Sequence, residues 1–129
     1  MLHALVGSMR DMIGVSSSDV VLPVVPMFHA AAWGMPYMAL MNGADLVMPG
    51  PHLDPDSLLD LMAGEKVTLA AGVPTIWNGI LANLDADPKR WDLSRLRTMV
   101  IGGAAAPPSM IAGFEERHGL IVTHAWGMT

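Results

Sequence analysis

Four short stretches of this sequence carry side chains with something to offer chemically. The first is Pro26-Met27-Phe28-His29, with Trp33 four residues on. An imidazole can donate a hydrogen bond to a developing oxyanion, best where water is excluded; it can equally cap a strand-to-helix turn with its ring satisfied by backbone. On a helix a spacing of four is one turn, so His29 and Trp33 are expected to face one cavity, although a tryptophan so placed also serves as a core aromatic. The second stretch is Gly72-Val73-Pro74-Thr75. Glycine has no Cβ and admits a ligand closely, yet an ordinary turn explains it as well. The third, Gly102-Gly103-Ala104-Ala105-Ala106-Pro107, sets tiny side chains between a strand and a helix N-terminus, leaving a flat slot lined by backbone groups. The fourth, His124-Ala125-Trp126-Gly127-Met128-Thr129, supplies a large ring and a hydroxyl.

Other chemistry is excluded by what the chain lacks. Its histidines, at 3, 29, 52, 118 and 124, have no i, i+4 pair and no His-Glu-x-x-His spacing, so a self-contained zinc site is not expected. There is no cysteine, hence no disulfide or thiolate chemistry, which suits a reducing compartment and a cytoplasmic location. Lys and Arg number 7 against 12 Asp and Glu, a formal net charge of −5, and the basic residues are scattered rather than striped, so no nucleic-acid partner is expected.

The elements that must position these residues alternate: short β-rich apolar runs and longer helical ones, punctuated by Gly, Pro and Asp. Strands are expected at Val20 to Val25, Asp45 to Met48, Val67 to Ala71, Thr98 to Ile101 and Ile121 to His124, apolar enough to be covered on both faces. Asp54-Pro55-Asp56-Ser57 opens a helix with an N-cap, a first-turn proline and first-turn acid, and Gly64 ends it. Pro74 starts another, with Ile76, Trp77, Ile80, Leu81 and Leu84 at helical spacing; Pro107 and Pro108 start a third, running to His118 with Gly119 as its C-cap. Leu2 to Ile13 reads as an initial helix, and Asp85 to Ser94 as a polar surface connection. The apolar run Val21 to Met41 holds Pro23, Pro26 and Pro36, each lacking a backbone donor, so it reads as a buried strand and a helix rather than a transmembrane segment. No basic region precedes a long apolar core at the N-terminus, so no secretory signal is expected. Together these give one α/β unit over residues 1–129: about five mainly parallel strands with helices on both faces.

The same stretches, in the same order, carry a resemblance. Val24-Val25-Pro26-Met27-Phe28-His29, Ala32-Trp33-Gly34-Met35-Pro36-Tyr37, Met48-Pro49-Gly50-Pro51, Ala71-Gly72-Val73-Pro74-Thr75-Ile76-Trp77, Ile101-Gly102-Gly103-Ala104-Ala105-Ala106-Pro107 and Trp126-Gly127-Met128-Thr129 closely resemble fatty-acyl-CoA synthetases of the adenylate-forming, AMP-dependent family. The resemblance spans essentially the whole chain. It implies an internal fragment of the large N-terminal domain, starting after the phosphate loop and stopping one residue short of a metal-binding glutamate. It implies a two-step reaction: a carboxylate attacks the α-phosphate of ATP to give an acyl-adenylate, and coenzyme A displaces AMP. Without the missing parts, the chain alone is expected to be inactive.

The resemblance also implies roles. His29 lies beside the carboxylate and phosphate. Trp33, Gly72, Val73 and Gly103 bound the acyl group, Trp33 resembling a gate. Gly102, Gly103 and Ala104 contact acyl group and adenine; His124, Ala125, Trp126 and Gly127 hold the nucleotide, with Trp126 stacking on adenine; and the Thr129 hydroxyl meets the α-phosphate or its Mg2+. Magnesium needs several oxygens and usually a carboxylate, which this motif lacks here. Ala125 stands where many relatives have glycine, crowding the adenine edge slightly.

The acid is expected to be a medium- or long-chain fatty acid, although ligases for short thioether or aryl acids share Ala-Trp-Gly-Met-Pro-Tyr. A second class stays open, a stand-alone nucleotide- or acyl-binding or assembly module without catalysis. Twelve methionines suit an adaptable apolar lining or an ordinary core equally. With only 15% charged residues, against roughly 25% in ordinary domains, self-association into a homo-oligomer is a further expectation.

Overall fold

The computed structural model describes residues 7 to 127. Its five strands are β1 (Val20–Val24), β2 (Asp45–Leu46), β3 (Leu69–Gly72), β4 (Thr98–Ile101) and β5 (Val122–His124), in the order β2-β1-β3-β4-β5 with every pairing parallel. Alternation along the strands decides which residue faces which layer. Leu22, Val24, Ala70, Met99 and Ile101 join one core; Val21, Leu69, Ala71 and Val100 join the other. The helices are α1 (Met35–Asn42), α2 (Pro55–Gly64), α3 (Pro74–Ala86) and α4 (Pro108–Ala112). Side chains of α2, α3 and α4 cover the first face, while Met35, Met38 and Ala39 of α1 cover the second. Helices on both faces are what an all-parallel sheet requires.

Local sequence explains most of the boundaries. Asp54 caps α2 by accepting the Ser57 N–H at 2.9 Å, and Pro55 fills the first turn, where no donor is lost. In α3, Trp77 is wholly buried and meets Phe114 edge-on at 6.3 Å; burying a side chain of this size stabilises by about 1.5–3 kcal/mol. After α4 the chain continues unbroken as a π-helical segment over Gly113–Arg117, so the expected third helix runs to His118 with a local change of pitch, and Gly119 follows it at φ 66°.

Three expectations are corrected. First, residues 30–33 form a turn of the opposite hand: Ala30, Ala31, Ala32 and Trp33 have φ of 46°, 47°, 49° and 55°, and Gly34 follows at 76°. Left-handed backbone costs about 1–2 kcal/mol per non-glycine residue, so tertiary contacts must offset it. His29 and Trp33 are therefore not neighbours on a right-handed helix. Second, the connection from Asp85 to Ser94 is less superficial than its polarity suggests: Trp91 is buried, donates through Nε1 to Asp60 at 2.6 Å, and carries the Arg90 guanidinium 4.2 Å over its ring. Third, β3 starts at Leu69 rather than Val67 and runs on through Gly72, although the Thr68 backbone already bonds to Val20 and Arg97. Residues 2–6 of the expected helix from Leu2 to Ile13 lie outside the described residues; of the remainder only Gly7 and Ser8 are helical, and the chain bends and turns from Met9 to Ile13. Among the described residues no helix is long and apolar enough to cross a membrane.

The amino ends of β1, β3 and β4 meet at one buried carboxylate. Asp19, 5% exposed, accepts from Arg97 Nε at 2.8 Å, Thr68 Oγ1 at 2.7 Å and the Ser16 N–H at 2.8 Å. Thr68 Oγ1 also accepts the Val20 N–H at 3.0 Å, and Arg97 reaches the Ile13 carbonyl at 2.9 Å. Burial pushes the Asp19 carboxyl upward, but Arg97, Thr68 and Ser16 outweigh it and hold the group well below the usual carboxylate range. Asp19→Ala should destabilise the chain by about 2–3 kcal/mol in urea denaturation, at or below the low end for a broken buried pair because Arg97 keeps some solvent. A folded-state depression contributes stability above the unfolded value, so the wild type should weaken as pH drops below about 4. An Asp19→Ala variant should lack that part of the acid sensitivity.

Candidate functional site

Parallel pairing sends the loops after β1, β3, β4 and β5 out at one edge of the sheet. The strand ends are flush: Val24 lies opposite Gly72, Gly72 opposite Ile101, and Ile101 opposite His124. Every described residue expected to act follows or ends one of these strands.

Beyond β4, the Gly102 N–H donates to the Gly72 carbonyl at 3.3 Å and the Ala125 N–H to the Ile101 carbonyl at 2.7 Å, fixing the glycine pair between its neighbours. Gly103 has φ of 79°, in the region that favours glycine. At Gly102 space decides: a Cβ would come within 3.0 Å of the Ala125 carbonyl oxygen and 3.2 Å of the Trp33 ring. At Gly103 it would meet Val73 at 3.2 Å and the same ring at 3.6 Å. The half-buried indole of Trp33 is thus laid against the bare backbone of both glycines.

Next to this seat opens a cleft of about 350 Å3, walled by Gly103, Ala104 and Ala105 on one side and His124, Ala125, Trp126 and Gly127 on the other. His124 Nε2 lies 3.4 Å from the Ala104 carbonyl, joining the walls. Trp126 is 84% exposed, its ring open to a planar ligand. The structure thus brings together Gly103, Ala104, His124, Ala125, Trp126 and Gly127, with Gly102 and Trp33 against the same backbone.

His29, Gly72 and Val73 do not line this cleft. His29 is exposed after β1; its backbone N–H donates to the Pro26 carbonyl at 3.0 Å, and its ring does not cap the turn that follows. Gly72 faces inward: a Cβ there would lie 3.3 Å from the indole of Trp77, whose Nε1 has no acceptor among the described residues. Thr129 lies outside the described residues. Among those described, no group of three or more His, Asp or Glu is placed to hold a metal ion. A smaller hollow of about 200 Å3, lined by Trp91, His118 and Leu120 among others, adjoins the segments that lead into β4 and β5 and so lies away from this edge.

Sequence reasoning left Ala105 out of the site, although it belongs to the same small-residue run and lines the cleft. The role of Trp77 behind Gly72 had no local signal, since its spacing on α3 reads only as core.

Comparison with known proteins follows the same outline. The family model described as AMP-binding enzyme matches residues 1–129. A 3-methylmercaptopropionyl-CoA ligase from Ruegeria lacuscaerulensis is 53% identical over 99% of this chain, which corresponds to 23% of that protein. A long-chain-fatty-acid–CoA ligase from Thermus thermophilus is 51% identical over the same share of each. The crystal structure of a long-chain-fatty-acid-CoA ligase from Archaeoglobus fulgidus superposes with a TM-score of 0.84 at 23% identity, over 98% of this chain and 26% of that one. The chain therefore spans about a quarter of the length of the proteins it matches.

Gly102→Ala tests the seat. The new Cβ must displace either a backbone carbonyl or the Trp33 ring, and should cost about 1–3 kcal/mol in denaturation while changing tryptophan emission. Unaltered stability and emission would mean that the ring does not rest on this backbone.

Proposed function

Because the chain belongs to the AMP-binding enzyme family, we propose that it is a single α/β piece, residues 1–129, of the larger N-terminal domain of an ATP-dependent, AMP-forming acyl-CoA ligase. The observation that carries the reading is the cleft between residues 103–105 and 124–127, set beside an indole that rests on the bare backbone of Gly102 and Gly103. Nucleotide and acyl group would then meet at the strand ends, where open α/β sheets take their ligands.

In this reading Trp126 stacks on adenine, the backbone of Gly102, Gly103 and Ala104 passes between adenine and acyl group, and His124, Ala125 and Gly127 close the nucleotide side. Trp33, Gly72 and Val73 bound the acid. His29 donates a hydrogen bond to the oxyanion that forms as the carboxylate attacks the α-phosphate; a donor fixed at developing charge is typically worth about 10²–10³ in rate. Pyrophosphate leaves in that step, and in the second half-reaction the thiol of coenzyme A takes the acyl group and AMP leaves. The Thr129 hydroxyl would be one oxygen ligand of Mg2+, which would neutralise phosphate charge; among the described residues no group of three or more His, Asp or Glu is placed to complete such a site.

The acid is a medium- or long-chain fatty acid, with a short thioether acid as the second reading, which the Ruegeria relative supports. Comparing kcat/KM for hexadecanoic, octanoic and 3-(methylthio)propanoic acids separates them. We place the protein in the cytoplasm, consistent with the absence of cysteine. Phe28, Leu40 and Trp126, exposed by 89%, 74% and 84%, give an isolated chain surface for pairing with a second copy.

The 129-residue chain alone should give no ATP–pyrophosphate exchange with any fatty acid, and light scattering should find it self-associated. Exchange by the isolated chain would contradict the view that essential groups lie elsewhere. In the complete enzyme, His29→Ala should lower the adenylation rate about 10²-fold while leaving ATP affinity nearly intact. Unchanged turnover would remove His29 from the chemistry.

A further inference from the structure

The most strained backbone among the described residues is the run from Ala30 to Trp33, four consecutive non-glycine residues with positive φ. In this conformation each Cβ crowds the following carbonyl oxygen, and strain of this kind persists only where the surroundings over-determine it. The surroundings here do so. Ala32 is wholly buried, and Trp33 lies against Gly102 and Gly103. Gly34 closes the turn at φ 76° with its N–H on the Ala31 carbonyl at 3.1 Å, and α1 starts directly after it.

The residues that take the strain are three alanines, the smallest chiral side chains and unbranched at Cβ. Had the run the ordinary hand, Trp33 would leave the chain in another direction, off the glycine pair. We propose that Ala30, Ala31 and Ala32 are positioning residues: the left-handed turn they build fixes the Trp33 indole on Gly102 and Gly103, and so sets the wall against which the acid lies. The proposal deepens the ligase reading and rests on it for the identity of the ligand, but the geometry can be tested without it.

Ala30 is the position to change, because its side chain is exposed and a replacement there acts through φ rather than through packing. Glycine and asparagine accept positive φ; valine does not. On the 129-residue chain, Ala30→Gly and Ala30→Asn should raise the melting temperature by about 2–5 °C, the reverse of what glycine does within an ordinary helix. Both should keep the nuclear Overhauser contacts between Trp33 ring protons and the Gly102 Hα protons, whereas Ala30→Val should lose them. In the complete enzyme Ala30→Val should raise KM for the acid about tenfold with KM for ATP held within about twofold, and Ala30→Asn should stay near wild type in acid KM. A general loss of structure would move both constants together. If Ala30→Val fails to fold, the sign of the Ala30→Gly and Ala30→Asn shifts decides alone. The proposal is overturned if those two lower the melting temperature, or if a folded Ala30→Val keeps both the ring contacts and the acid KM. A complete enzyme that ligates no acid would sink the ligase reading, while the melting and ring-contact results would still decide the role of the turn.

Discussion

One carboxylate sets the frame on which everything else rests. Asp19 gathers Thr68 and Arg97, which stand just before β3 and β4, and Thr68 in turn takes the first N–H of β1. A strand displaced by one residue would turn all its side chains to the wrong face, so a tie of this kind at the amino ends helps fix register along the sheet. The consequence appears at the far edge, where Val24, Gly72, Ile101 and His124 finish in one row. A flush row of strand ends lets four loops meet; a stagger of two residues would move a loop about 7 Å, more than the reach of a hydrogen bond.

The two edges divide the labour by chemistry. At the amino edge the Asp19 carboxylate is shielded and multiply bonded, while Arg97 keeps part of its surface in solvent. At the carboxyl edge the strand ends carry glycine, alanine, indole and imidazole, with bare backbone in the gaps. Small side chains admit a ligand close to the backbone, and among the described residues none that lines the cleft is Asp, Glu, Lys or Arg. The Trp33 seat joins the halves: its ring occupies the space that Cβ atoms at 102 and 103 would need, so glycine there and tryptophan at 33 depend on each other.

Much of this frame was legible in the sequence because it rests on local rules. Strand β4 falls where its apolar run predicts, and Asp54-Pro55 and Pro74 open α2 and α3 where capping and proline geometry require. The small-residue run after β4 and the segment after β5 do form the two walls of one cleft. What escaped was decided by contacts distant in sequence. Three alanines before a tryptophan read as right-handed helix, since alanine is the strongest helix former; the backbone instead takes positive φ, with Ala32 buried and Trp33 against Gly102. Trp91 hides in a polar segment because Asp60, thirty-one positions back, accepts its N–H. The π-helical turn at Gly113 to Arg117 likewise has no signature in a periodic pattern.

The exposure of the site bears on how such an edge could do chemistry. His29 is exposed on this chain, and the role proposed for it gains from the exclusion of water: unit charges 4 Å apart interact by about 1 kcal/mol at the dielectric of water, but about 4 kcal/mol at the lower effective value near protein. Those 3 kcal/mol are of the size that separates a useful oxyanion donor from a useless one. Phe28 beside it and Trp126 across the edge are almost fully exposed, and covering such rings is favourable by about 1.5–3 kcal/mol each. The same covering surface would therefore gain apolar burial and dry the imidazole in one step. In the role proposed for His29, covering Phe28 beside it would exclude water from the imidazole as well as bury the ring.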